Sequence, residues 1–71
     1  MHNIGKELKF QRKVNKLSQR QVAKVLGVGA NAISRWEIGD NTPSIYELIA
    51  LANFYDISLD ELVGRDYYGR L

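Results

Sequence analysis

The chain has no cysteine, one proline, one histidine and one tryptophan in 71 residues. Without cysteine there can be no disulfide, no thiolate nucleophile and no zinc–thiolate centre. A small core without such staples belongs in a reducing compartment, so the expected location is the cytoplasm. No run of about 18 apolar residues is present. The N-terminus Met1-His2-Asn3-Ile4-Gly5-Lys6 lacks the basic flank and apolar stretch of a signal peptide, so neither export nor membrane insertion is expected. His2 stands alone at a terminus that frays, and no convergent acid–base set accompanies it. The reading is therefore no enzyme, no metal and no cofactor.

The residues present are those of one folded domain. At 45% apolar and 25% charged, the composition is that of a globular chain rather than a disordered tail. The length allows a single core and no large cleft. Charge is unevenly placed. Residues 1–35 carry eight Lys and Arg against Glu7, for +7, whereas residues 36–71 carry two Arg against seven acids, for −5. A chain polarised in this way offers a basic side to a polyanion such as nucleic acid or an anionic membrane surface. A merely solvated helix face would read the same.

Apolar residues recur at i, i+3 and i+4, which predicts an all-α fold. Ser18 with Gln21, Ser44 with Glu47 and Ser58 with Glu61 each have the spacing of a capping box and mark three helix starts. An earlier helix runs from near Asn3 to about Asn15, with Ile4, Leu8 and the Phe10 or Gln11 region inward. The second helix, after Ser18, offers Val22, Ala23 and Leu26 to the core and stops at Gly27, where a left-handed backbone costs nothing. The third begins near Gly29, buries Ile33 and Trp36 and ends before Gly39. Gly39-Asp40-Asn41-Thr42-Pro43 is a loop. The fourth helix turns Ile45, Leu48, Leu51, Ala52 and Tyr55 inward, and the fifth Leu59, Leu62 and Val63. Asp60 and Glu61 are paired carboxylates explained by the first turn of the fifth helix, where negative charge complements the dipole. The domain is placed at residues 1–66, with a short tail at 67–71.

The few residues around Gly27 force helices two and three to cross, as in a helix-turn-helix. Ala23 is small where the third helix presses on the second, and Val22, Leu26, Val28, Ile33 and Trp36 are apolar where the pair meets the body. With these residues, with Leu17-Ser18-Gln19, with Ala32-Ile33-Ser34-Arg35-Trp36-Glu37 and Gly39, and with Pro43-Ser44 leading to Ile57-Ser58-Leu59-Asp60-Glu61-Leu62, the sequence resembles the phage repressor and Cro-type regulators, the XRE family. The resemblance runs from about Ile4 to Gly64. It implies a compact five-helix domain of the lambda-repressor-like type that binds double-stranded operator DNA, usually as a dimer, with helix three in the major groove.

Carried over by position, the resemblance makes Gln19 a phosphate clamp at the start of helix two, with Arg20 and Asn41 as further phosphate contacts. Ala30, Asn31, Ser34 and Arg35 match the family's base-reading face. Asn can bond adenine through two atoms, Arg can fork onto guanine, and Ala can touch a thymine methyl. Arg12 and Glu37 match a pair that bridges helices one and three in the family. Trp36, three residues from Ile33, is read as a core anchor and not a stacking platform. The sequence also departs from the pattern. Gly29 stands where Ser or Thr is usual, Ala30 replaces a longer polar reader, Gln11 occupies an apolar position, and Lys16 replaces the usual glycine before Leu17, leaving Asn15 as the candidate for the left-handed turn.

Two functions fit these features. One is a sequence-specific regulator of the Cro or small-repressor kind, from a phage or mobile-element switch. The other is an antirepressor or antitoxin acting through another regulator. No effector domain is legible, so no small-molecule ligand is expected. Tyr46, Ile49 and Phe54 on helix four, with Tyr67 and Tyr68 in the tail, exceed what one small core needs. They are read as an interface for a second copy or a related repressor.

Overall fold

Five helices make up residues 4–63, the part of the chain that the computed structural model describes: α1 Ile4–Val14, α2 Gln19–Leu26, α3 Ala30–Ile38, α4 Ile45–Tyr55 and α5 Leu59–Val63. The architecture is all-α, as the periodicity predicts. Asn3 as a cap, the boundary at residue 66, and Tyr67 and Tyr68 lie outside the described residues.

The starts of α2 and α4 carry the expected caps. Ser18 Oγ accepts the Gln21 amide while Gln21 Oε1 accepts the Ser18 amide, and Ser44 and Glu47 make the same reciprocal pair. Ser58 Oγ accepts the Glu61 amide at the start of α5. The ends of the first four helices share one device. A residue at the end of each, Lys16 two past α1 and Gly27, Gly39 and Asp56 just past α2, α3 and α4, has a left-handed backbone. The next amide then reaches back to a carbonyl in the last turn: Leu17 to Arg12, Val28 to Ala23, Asp40 to Arg35 and Ile57 to Ala52. The left-handed residue after α1 is thus Lys16 (φ 57°) and not Asn15. Asn15 instead donates from both its amide and its Nδ2 to the Gln11 carbonyl, which keeps it on the helical path. Lys16 bears the steric cost of a Cβ there, about 1 kcal/mol.

The core gathers Leu8, Val22, Ala23, Ile33, Trp36, Leu48, Leu51, Ala52, Tyr55 and Leu62, with Ile4, Leu17, Leu26, Val28, Ile57, Leu59 and Val63 packed around it. α3 lies against α1 and α2, α5 against α1 and α4, and α2 against α4. One expectation needs correction, and one open alternative is decided. Ile45 is exposed, being the first helical residue of α4, and Pro43 is the residue buried at that end. Of Phe10 and Gln11, the polar residue is the buried one. Its Nε2 donates to Glu7 Oε2, so a hydrogen bond replaces the apolar contact usual at that position.

One close approach has no expectation behind it. Gly5 is buried where α1 crosses the end of α3. A Cβ at Gly5 would strike the carbonyl oxygens of Trp36 and Glu37, the latter at 2.6 Å. The two backbones touch because glycine has no side chain. Gly5→Ala should therefore destabilise the fold by about 3 kcal/mol, against a gain in helix propensity of only about 1 kcal/mol. Urea unfolding of the two proteins measures the difference.

Candidate nucleic-acid interface

The turn between α2 and α3 is short because Gly27 closes the first helix and Gly29, in extended conformation, opens the next. From that turn α3 faces two ways. Ile33, Trp36 and Glu37 are buried, whereas Asn31 and Arg35, one turn apart, are exposed. Ser34 is half-buried beside them. Ala30 is also half-buried and packs against the core cluster, so of the four residues matched to base reading it has the least freedom to change size. Ile38, three residues after Arg35 and seven after Asn31, extends the same face with 74% of its surface exposed. An isoleucine gives no signal of base reading by its type, although helical spacing alone places it there.

The inner side of α3 is held by an ion pair. Arg12 donates from Nε to Glu37 Oε2 at 2.7 Å and from Nη2 to Glu37 Oε1 at 2.9 Å, a two-pronged contact between α1 and α3. Its Nη1 donates to the Leu17 carbonyl at 2.9 Å, tying in the connection before α2. Gln19 adds a third element, its Nε2 donating to Glu37 Oε1 at 3.1 Å. Only 11% of the Arg12 side chain and 3% of the Glu37 side chain are exposed. Matching to the family pairs Arg12 with Glu37 and reads Gln19 apart from them, as a phosphate contact; folding brings all three together. Gln19 is half-buried and spends one amide hydrogen on Glu37, leaving the second for any contact outside.

The outer side is basic. Glu37 is the only acid between residues 8 and 39, and it is buried and paired, so it contributes little to the outward field. Arg20, Lys24 and Arg35 are exposed on α2 and α3. Asn41 is exposed in the loop after α3, its amide bonded to the Arg35 carbonyl. No side chain caps the α3 N-terminus. A Cβ at Gly29 would meet nothing within 4 Å, so a serine would fit and its absence is chemical, not steric. Among the described residues no cluster could hold a metal ion and no helix is long and apolar enough to cross a membrane.

Charge also reaches the core. The hydrogen bonds to Glu37 raise Arg12 above its ordinary value, outweighing the opposing effect of burial. Burial pushes the Tyr55 phenol up to about 12, with the Glu37 carboxylate adding to the shift and Arg12 opposing it. A phenol whose folded value exceeds its unfolded value of 10.0 favours the fold fully below pH 10, and that contribution fades between pH 10 and about 12. The loss is about 3 kcal/mol at most. Tyr55→Phe should flatten this alkaline decline in denaturant unfolding followed across the same range, and an unchanged slope would remove Tyr55 as its source.

The Helix-turn-helix family matches residues 8–62. The chain is 34% identical to the HTH-type transcriptional regulator ImmR of Bacillus subtilis over 90% of its own length and 50% of that protein. It is also 34% identical to the cryptic phage CTXphi transcriptional repressor RstR of Vibrio cholerae, over 87% of its length and 55% of that protein. It thus spans about half the length of these relatives. The P22 c2 repressor, solved in complex with a synthetic operator, superposes with a TM-score of 0.84 at 32% identity, covering 93% of this chain and 100% of that one. The chain belongs to the helix-turn-helix family of phage-repressor (XRE) type.

Proposed function

We propose that the chain is a sequence-specific DNA-binding transcriptional regulator that lays α3 in the major groove of a duplex operator. The observation that carries this reading is the pair Asn31 and Arg35, exposed one turn apart on the second helix of the turn. Both can make two-atom contacts to a base edge. The superposable P22 repressor, crystallised with operator, supports the same use of the fold. Ser34 and Ala30 border the reading face. Arg20, Gln19 through its remaining amide hydrogen, and Asn41 meet phosphates and set the register. The exposed Tyr46, Ile49 and Phe54 of α4 form an interface with a second copy or a related repressor. A symmetric pair would set two α3 helices about 34 Å apart and require a near-palindromic site.

Selection of binding sites from a random duplex pool, followed by titration of the preferred site and a scrambled one, tests the reading. Arg35→Ala should cost about 1–3 kcal/mol on the preferred site and far less on the scrambled one. Arg20→Ala should weaken both alike and lower the log–log salt slope by about 0.9. Equal losses for Arg35→Ala on both sequences would reduce α3 to a backbone contact.

Glu37 supplies a test of opposite sign. If only net charge mattered, Glu37→Ala would tighten binding to a polyanion. Because Glu37 orients α3 through Arg12 and Gln19, Glu37→Ala should instead weaken binding to the preferred site. Affinity titration alongside an unfolding curve distinguishes misplaced α3 from a chain that has lost its fold.

A further inference from the structure

The face of α1 turned away from the core carries a feature that DNA reading by α3 does not use. Ile4, Gly5, Leu8, Gln11 and Arg12 point inward, and the opposite side presents Lys6, Lys9, Phe10, Lys13 and Val14, which line a shallow apolar groove. Phe10 is 59% and Val14 58% exposed. They stand at i and i+4, with Lys9 and Lys13 at the same spacing alongside. Aliphatic and aromatic surface framed by cations fits an occupant that is apolar at its centre and acidic at its edge.

The same chain carries such a surface. Around the connection from α4 to α5 lie the exposed Phe54, Asp56, Asp60 and Glu61. α5 packs between α1 and α4, so the basic groove and the acidic corner sit on adjoining elements. A two-fold axis between two copies would let each groove receive the other's corner, since an isologous contact pairs i with j and j with i.

We propose that the α1 groove of one copy receives the α4–α5 corner of a second copy, with Phe54 against Phe10 and Val14 and the corner's acids facing Lys9 and Lys13. This rests on the reading of exposed Tyr46, Ile49 and Phe54 on α4 as an interface and names the face that Phe54 meets. The contact is electrostatic at its rim, so association weakens as salt rises.

The test is a charge exchange in the full chain, followed by sedimentation equilibrium without DNA, with thermal melts confirming that each variant folds. Lys9→Glu with Lys13→Glu should raise the dissociation constant of self-association about tenfold or more, as should Asp60→Lys with Glu61→Lys. Mixing the two variants should restore association between them, because the acidic groove of one then faces the basic corner of the other. Several results overturn the proposal. If the mixture stays monomeric, the groove and the corner do not meet. If the lysine variant associates normally while Tyr46→Ser with Ile49→Ser does not, α4 pairs with its own symmetry mate, and the interface reading survives without the groove. If the lysine variant self-associates normally and a parallel duplex titration shows weaker DNA binding, the groove serves phosphate and the proposal falls. A wild-type chain monomeric at every concentration removes the interface reading as well.

Discussion

The bidentate contact between Arg12 and Glu37 decides what the rest of the molecule can present. Burial of Ile33 and Trp36 presses α3 onto the body, but apolar attraction has no direction and leaves rotation about the helix axis weakly fixed. A planar guanidinium on a planar carboxylate fixes that rotation, and Gln19 and the Leu17 carbonyl extend the constraint to α2. Such a buried pair is a poor source of net stability, since desolvation opposes the Coulombic gain. Its value lies in position. The absence of a side chain at Gly5 belongs to the same arrangement, because it lets α1 come close enough to α3 for the contact to form.

The pair also shapes the field outside. Neutralising and burying the single acid between residues 8 and 39 leaves Arg20, Lys24 and Arg35 facing solvent on α2 and α3, with no exposed acid on either helix. Apart from Glu7, the other acids all follow α3 in the sequence. An approaching polyanion therefore meets a dipolar molecule that turns before contact, an orienting effect strongest at low ionic strength.

Much of this was legible in the sequence because it depends on local rules. Capping serines with Gln or Glu three residues on, and glycine at Gly27 and Gly39, each encode a boundary within a few residues, and the boundaries at Ser18, Ser44, Gly27 and Gly39 stand where those rules place them. What escaped depends on tertiary neighbours. Gly5 reads as an unremarkable helical residue until α3 lies across it. Gln11 reads as a misplaced polar group until Glu7 is one turn away to accept its hydrogen. Lys16 takes the left-handed turn that composition alone assigns to Asn15, because the capping bond from Leu17 to Arg12 fixes where the helix ends. At the candidate site, the family resemblance named Asn31 and Arg35, which are exposed, along with the half-buried Ala30 and Ser34, and it did not name Ile38; Gln19's bond to Glu37 depends on a distance between helices that no spacing records.

The two sides of α3 share almost no residues. Ile33, Trp36 and Glu37 keep the helix in place, while Asn31, Arg35 and Ile38 contribute little to the core. The outward residues can therefore be exchanged by mutation at small thermodynamic cost, and a lineage carrying this scaffold can drift in target preference while its fold stays constant. Ala30 is the exception. Because it leans into the core, enlarging it changes packing and recognition together, so the first position of the helix is where retargeting meets mechanical resistance.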